Sequence, residues 1–317
     1  NQDRTDLNMY RFSFSVLGGL VAALLYNIIV NQVYADAPRT GNVIQGIIVA
    51  VIIVVSNVIV FLYTTEKETD DDDSGEQFGF IEGLRIALSS RPFLYVSTIY
   101  LLTWLSIQFV QSLILFYFRD YIGGDPGGQF TILLFGLQFS IFIFILVWGF
   151  VSRRLGRKKV FYIGVPVWMV CLVALYFVQP GQINLVMILG VLSGIGVSLG
   201  FLVPWSLLPD VVDDDELKTG QRREGIFYGF FVFLQKFGIG IGLFIQGQVL
   251  EWTGYVEAID GIAQPQPDSA LLALRLLMTI APIIFLSFSI WAVYKNPIDQ
   301  KRLAEIQAEL EARKAAA

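Results

Sequence analysis

The chain has 317 residues, of which 55% are hydrophobic and only 15% are charged, and this balance excludes a soluble globular domain. The net charge of −5 arises largely from acidic stretches such as residues 70–73, so it does not indicate nucleic acid as a partner. Histidine is absent and Cys171 is the only cysteine, which excludes disulfides, thiolate metal sites and His-based catalysis. We therefore expect an all-α membrane protein that is not an enzyme and has no metal or cofactor bound in this chain.

Eight apolar runs are each long enough to cross a bilayer as a helix. In chain order they cover residues 12–33, 43–63, 93–118, 130–151, 161–178, 184–208, 226–250 and 269–294. The longest polar connector, residues 64–92, separates the first two runs from the other six. Its acidic stretch is typical of a linker, whereas GFIEGLRIALSSRPF predicts a short amphipathic helix at the membrane surface.

The basic residues predict the orientation in the membrane. Of the 22 Lys and Arg residues, Lys236 and Arg275 lie within apolar runs, and Arg39 and Arg119 lie in connectors on one side. All the others lie in connectors or termini on the opposite side. Because cytosolic loops are enriched in Lys and Arg, both termini of this chain are expected in the cytosol. We expect a monomer that spans the lipid bilayer of the plasma (inner) membrane.

The connector after the fourth run reads GFVSRRLGRK from Gly149 to Lys158. It resembles the signature loop of the major facilitator superfamily, with Arg153 at a position that is usually acidic. A basic turn that merely satisfies the positive-inside rule is the alternative. In that superfamily the loop joins helices two and three and, as a second copy, helices eight and nine. If this is the second copy, the eight runs are equivalent to helices 5–12 of twelve.

That count divides the chain into four parts. Residues 1–63 would supply the last two helices of an N-terminal bundle, residues 64–92 the cytosolic central loop, residues 93–294 the C-terminal six-helix bundle and residues 295–317 a cytosolic tail helix. Helices one to four would precede the chain. The first residue, Asn1 rather than Met, agrees with an N-terminally truncated sequence.

The segment DVVDDDELKTGQRREGIFYGFFVFLQK, which begins at Asp210, resembles the helix ten to eleven region of the melibiose permease-like family of glycoside, pentoside and hexuronide:cation symporters. YRFSFSVLGGL in the first run is similar to that family's helix five, and AEIQAELEARK is similar to its cytosolic tail. The resemblance covers essentially the whole chain. It implies secondary active symport of a sugar or glycoside by alternating access. The coupling ion, Na⁺ or H⁺, would bind on helices two and four, which this chain would lack.

Lys236 is the only formal charge in residues 226–250 and lies ten residues into that run, or about 15 Å along a helix. A charge at that depth costs about 2.5–3.5 kcal/mol, so it needs compensation. It either faces an aqueous cavity on a substrate or ion path, or pairs with a carboxylate to hold two helices together. By the resemblance, Lys236 takes the place of a coupling lysine and Arg11 that of a sugar-site arginine.

Further candidates for a binding cavity come from helical spacing. In the third run Trp104, Gln108 and Gln111 fall at i, i+4 and i+7 on one face. An indole and two amides suit a hydroxylated ligand, while amide hydrogen bonds between helices are the alternative. Gln235 and Tyr228, which lie near Lys236, are weaker candidates.

The resemblance assigns Phe201, with Trp205 one turn later, to an aromatic position that stacks on sugars. Polar positions that precede the coupling lysine in the family are Phe231 and Val232 here. A lysolipid or other amphiphile is therefore an alternative substrate. From a different functional class, a membrane sensor that does not transport is also an alternative.

The resemblance also assigns Asp210, Asp213 and Arg222 to a cytosolic gate, with Arg153 and Arg154 as possible partners. Opposite charges at helix ends can hold two bundles together reversibly, at about 1 kcal/mol or less for each exposed pair. A solvated charged loop is the alternative.

Overall fold

The computed structural model describes residues 2–63, 79–259 and 264–316. Within these ranges the chain forms the following α-helices: α1 Gln2–Tyr26, α2 Pro38–Tyr63, α3 Phe80–Ser89, α4 Arg91–Phe116, α5 Gly128–Leu155, α6 Arg157–Phe177, α7 Ile183–Thr219, α8 Glu224–Trp252, α9 Asp268–Arg275, α10 Ala281–Lys295 and α11 Gln300–Ala316. Eight helical stretches are long and apolar enough to cross a membrane, which confirms the predicted all-α fold and the number of spans. The acidic stretch at residues 70–73 lies outside the described residues.

Three π-helical segments continue or join these helices. Asn27–Val33 extends α1, Tyr117–Tyr121 extends α4, and Leu276–Ile280 joins α9 to α10 so that the two form one span. The predicted run 269–294 is therefore helical throughout but changes its hydrogen-bond pattern after Arg275.

The chain divides into two compact units, Phe14–Gly79 and the combination of Asn1–Ser13 with Phe80–Ala317. In the smaller unit, α2 packs against the π-helical extension of α1. A Cβ atom on Gly41 would lie 2.9 Å from Cβ of Tyr34 and 3.2 Å from Cα of Val30. Only glycine permits this close approach between the two helices.

In the larger unit, α7 packs against α4, α5 and α6 through glycines. A Cβ on Gly196 would lie 2.6 Å from the carbonyl oxygen of Gly164 in α6. One on Gly194 would lie 2.5 Å from Oγ of Ser140 in α5, and Gly200 faces α4 in the same way. The GxxxG spacings of this run, Gly190 with Gly194 and Gly196 with Gly200, therefore mark close helix contacts.

α7 is longer than predicted. The predicted run ends at residue 208, followed by a charged loop, but the helix continues through Pro209 to Thr219. Asp214 pairs with Lys218 one turn later at 2.5 Å, which stabilises the added turns. Gly220 then ends the helix with φ +74°, in the left-handed conformation that glycine adopts without strain. The DVVDDDELK segment is thus a helix rather than a loop.

Arg275, the second charge within an apolar run, caps the C-terminus of α6. Its Nη2 donates to the carbonyl of Tyr176 at 2.6 Å, and its guanidinium lies 4.8 Å from the ring centroid of Tyr121. The hydroxyl of Tyr117 donates to the carbonyl of Leu175 at 2.6 Å. Carbonyls at a helix C-terminus carry partial negative charge, so a cation stabilises them there.

The predicted amphipathic helix is present as α3, and the predicted tail helix is present as α11. In α3, Gly83 and Ala87 are buried, and the ring of Phe80 lies 5.3 Å from that of Phe230 in α8. In α11, Leu303 and Ile306 are buried, and the helix packs against α7.

Candidate functional site

Seven aromatic rings meet where the start of α1, α4, α7 and α8 come together. We call them the aromatic cluster: Phe12, Tyr100, Trp104, Phe201, Trp205, Tyr228 and Phe231. Tyr100 and Phe231 stack with centroids 4.0 Å apart and planes at 8°. Trp205 meets both edge-on, at 5.7 and 5.5 Å. The structure thus brings together Trp104, Phe201, Trp205 and Tyr228, which the sequence indicates as candidates on different grounds.

The indole N–H of Trp104 is a hydrogen-bond donor that is buried inside this cluster. The ring of Trp104 lies 5.1 Å from Phe201, and its Nε1 is buried with no hydrogen-bond partner among the described residues. An unsatisfied buried donor costs roughly 1–3 kcal/mol, which a ligand with an acceptor atom would recover.

Arg11 lies over the cluster from α1. Its guanidinium carbon is 4.8 Å from the ring centroid of Trp205 and 5.6 Å from that of Phe12. Asn8, one turn earlier, donates to the backbone carbonyl of Trp205 at 3.3 Å. The cation–π contact fixes a positive charge beside the rings, and the Arg11 side chain stays exposed.

Lys236 is exposed and forms no ion pair or hydrogen bond with the described residues. It lies on the face of α8 that also carries Gly229 and Gly240, where an added Cβ would meet nothing within 4 Å. The opposite face packs on α4: an added Cβ on Gly238 would collide with Leu101, and Gln246 accepts a hydrogen bond from Ser112 at 2.8 Å. The lysine therefore has its amine available on the unpacked face.

The amide candidates form no hydrogen bond with the aromatic cluster in the described part of the chain. Gln108 is half-buried and Gln111 exposed, and neither side chain forms a hydrogen bond within the described part of the chain. Gln235 is 3% exposed, so it is buried while its neighbour Lys236 is not. The structure therefore shows aromatic rings with the cation of Arg11 beside them.

Asp210 is buried, with 2% exposure, and pairs with Arg157 instead of Arg153 or Arg154. Nη2 of Arg157 lies 2.6 Å from Oδ2 of Asp210, and Nη1 donates to the carbonyl of Ser206. The structure does not show the expected pairing: Arg153 and Arg154 lie in the last turn of α5, whereas Arg157, the partner of Asp210, begins α6.

The two arginines at the end of α5 have other surroundings. Nη2 of Arg153 lies 2.8 Å from Oδ1 of Asp6 in α1. Arg154 is exposed and forms no ion pair with the described residues. The charged contact from α5 therefore runs to the start of α1 and not to α7.

Arg222 connects the end of α7 to the start of α8. Its guanidinium lies 2.5 Å from both Glu216 and Glu224 and 3.6 Å from Asp213. Partial burial lowers the pKa of Arg222, but hydrogen bonds and charge from Glu224 and Glu216 outweigh it, so the pKa is raised. Asp213 and Arg222 lie together as predicted. Their role as a gate stays a prediction.

The structure adds Tyr100, Phe12 and Arg157 to the site residues that the sequence indicates. Tyr100 precedes Trp104 by one helical turn, so the same periodicity identifies it. Phe12 follows Arg11 directly. Arg157 lies in the signature-like loop itself, but loop spacing does not indicate which of its basic residues faces Asp210.

Residues 1–300 match the model of a family described as MFS/sugar transport protein. The chain is 39% identical over 239 residues to an uncharacterized symporter of Synechocystis sp., which covers 75% of this chain and 44% of that protein. It is 30% identical to sodium-dependent lysophosphatidylcholine symporter 1-A of Danio rerio (72% and 42%). It is 29% identical to sodium-dependent lysophosphatidylcholine symporter 1 of Homo sapiens (75% and 43%). The chain therefore spans less than half the length of these relatives.

Proposed function

We propose, from the premise that this chain belongs to the MFS/sugar transport protein family, that the protein is a cation-coupled symporter of an amphiphile of the lysophospholipid class. The chain is an integral, multi-pass membrane protein with the helical fold of that family. Transport would proceed by alternating access around a site in the membrane.

The observation that carries this proposal is the combination of an aromatic cluster with two cations. Apolar rings offer a surface to an acyl chain, and a guanidinium and an ammonium attract a phosphate. Arg11 lies 4.8 Å from the ring of Trp205, and Lys236 has no ion-pair partner among the described residues. An amphiphile with a phosphate headgroup offers an acyl chain to the rings and a phosphate to the cations.

The relatives support the same substrate class and suggest the coupling ion. Two of those compared are sodium-dependent lysophosphatidylcholine symporters by name, at 30% and 29% identity. We therefore propose Na⁺ in preference to H⁺. We also propose that both termini of the chain lie in the cytosol, which the basic residues of the connectors support. In that orientation Asp210, Asp213 and Arg222 lie at the cytosolic ends of α7 and α8 as gate residues.

A sugar or glycoside is the second candidate substrate. The buried Nε1 of Trp104, which has no partner among the described residues, supports it, because a sugar hydroxyl accepts such a bond while its ring stacks on Phe201. The description of the family also includes sugar transport. Against it, the two positions at 231 and 232 that precede Lys236 are the apolar Phe231 and Val232.

Ligand binding separates the two candidates. Trp104 and Trp205 lie in the cluster, so their fluorescence reports on it when the purified protein is titrated below the critical micelle concentration of the lipid. We expect lysophosphatidylcholine to quench this signal saturably and melibiose to leave it unchanged. K236A would weaken the response, and K159A, at an exposed lysine outside the cluster, would not. Saturable quenching by melibiose alone would contradict the proposal.

A further inference from the structure

A groove at the basic end of the larger unit lies between α3, the start of α4 and the end of α7. Its volume is about 540 Å³. The charged side chains that line it are Arg85, Arg91, Asp214, Asp215, Lys218 and Arg223. Four of these six are basic, so the described lining has an excess of positive charge.

Both carboxylates of the groove are already paired. Asp215 accepts two hydrogen bonds from Arg223, at 2.7 and 2.9 Å, and Asp214 pairs with Lys218 at 2.5 Å. Arg85 and Arg91 are exposed and form no ion pair with any described residue. A guanidinium presents a planar fork of N–H donors that matches the oxygens of a phosphate. The groove is therefore lined by two guanidinium groups, those of Arg85 and Arg91, that form no ion pair with a described carboxylate.

The surroundings favour a lipid as the source of the phosphate. Arg91 is the first residue of a candidate membrane span. α3, directly before it, leaves Phe80 and Ile81 exposed by 62% and 81%. A short amphipathic helix with exposed apolar side chains lies at the headgroup level of a bilayer. Basic residues at that level attract anionic lipids.

We propose that this groove binds the phosphate of an anionic phospholipid headgroup from the leaflet at the basic end of the protein. Arg85 and Arg91 donate hydrogen bonds to the phosphate oxygens, while Lys218 and Arg223 neutralise the two carboxylates that would otherwise repel the phosphate. The lipid thereby connects α3 with the end of α7. The groove is lined by none of the aromatic cluster residues, so it is a site apart from the transported substrate.

The test measures binding of short-chain lipids to the purified protein by microscale thermophoresis. Dihexanoyl phosphatidylglycerol is the probe, and dihexanoyl phosphatidylcholine and inorganic phosphate are the comparators. We expect R85Q/R91Q to bind phosphatidylglycerol roughly 25-fold more weakly, since each basic residue near an anionic bilayer contributes about fivefold. R154Q/K159Q removes two exposed basic residues from the same end outside the groove, and we expect it to bind as the parent does.

Two outcomes would contradict the proposal. Equal affinity of the parent and R85Q/R91Q for phosphatidylglycerol would overturn the site. Inorganic phosphate bound as tightly as phosphatidylglycerol would identify a soluble anion and overturn the lipid source. The single variants R85Q and R91Q, each expected to lose about fivefold, provide the same test if the double variant does not fold. K236A is expected to keep phosphatidylglycerol binding, which separates a failure of this site from a failure of the proposed transport.

Discussion

Arg157 and Asp210 form a buried ion pair, with Nη2 and Oδ2 2.6 Å apart, between the first residue of α6 and the last third of α7. The side chains are 13% and 3% exposed. Arg157 also donates to the carbonyl of Ser206, so one guanidinium holds two groups of α7. This pair fixes the basic end of α6 against the helix that contributes Phe201 and Trp205 to the aromatic cluster.

Loss of this arginine is expected to destabilise the protein strongly. R157Q removes the cation that lies 2.6 Å from the buried carboxylate of Asp210, and breaking such a buried pair costs about 3–5 kcal/mol in the free energy of unfolding. R153Q is the matched control, because its pair with Asp6 is 33% and 23% exposed and contributes about 1 kcal/mol or less. Equilibrium unfolding of both variants in detergent checks this. Equal effects of the two substitutions would show that the pair with Asp210 has no special weight.

Much of the fold follows from the sequence because apolar run length and the placement of Lys and Arg are strong signals in membrane proteins. The helical extension of α7 beyond residue 208 cannot be predicted from the sequence, because DVVDDDELK after Pro209 has the composition of a polar loop. Its helix depends on Asp214 pairing with Lys218 and on Asp210 finding Arg157 from another helix. The first pair is local, but Arg157 is a tertiary partner that residue spacing alone does not reveal.

The candidate site is predictable in part for a similar reason. Helical periodicity places Trp104 on a face with Gln108 and Gln111, yet only Trp104 reaches the aromatic cluster. Which turn of α4 meets α7 and α8 depends on packing, such as the contact of Leu101 with Gly238. Periodicity identifies a helix face but not the depth at which that face meets its neighbours.

The contact between α6 and α7 at Gly196 predicts a sharp size limit. G196A would place a Cβ 2.6 Å from the carbonyl oxygen of Gly164 and 2.5 Å from Cβ of Trp168, so the helices must separate. We expect a loss of about 1–3 kcal/mol in unfolding free energy. G240A, in an open stretch of α8, would be neutral or stabilising by up to about 1 kcal/mol. A destabilised G240A together with an unaffected G196A would contradict this packing.

Replacement of Trp104 discriminates between the two substrates. W104F removes a buried N–H that has no partner in the described residues, so we expect stability to change by less than about 1 kcal/mol. Lysophosphatidylcholine affinity would stay within about threefold, since the ring surface remains. W148F is the control, because Nε1 of Trp148 donates to the carbonyl of Ile195 at 2.7 Å and its loss costs about 1–3 kcal/mol. A large loss of ligand affinity in W104F, with stability intact, would favour a hydroxylated sugar.

Asp125 predicts an acid-sensitive start of α5. Backbone N–H groups of Gly127, Gln129 and Gly128 donate to its carboxylate and hold its pKa below the ordinary value of 3.8. A lowered folded-state pKa stabilises the protein above the unfolded-state pKa, and this contribution is lost as the pH falls through the folded-state pKa. D125N is therefore expected to lower stability at about pH 6 and to differ less from the parent at about pH 3. D268N, at an exposed aspartate elsewhere, serves as the control in the same titration. A difference between D125N and the parent that persists unchanged at low pH would be inconsistent with this role.

The most direct measurement is sodium-driven uptake of labelled lysophosphatidylcholine into proteoliposomes by the full-length protein and its variants K236A, K236R and K159A. We expect uptake that requires an inward Na⁺ gradient, at least about tenfold slower in K236A because a charge-assisted contact to phosphate is lost. K236R would keep part of the activity, and K159A would match the parent, since Lys159 is exposed outside the cluster. Sodium-driven uptake that is unchanged in K236A, or uptake of melibiose in place of the lysolipid, would contradict the proposal that Lys236 serves a lysolipid symporter.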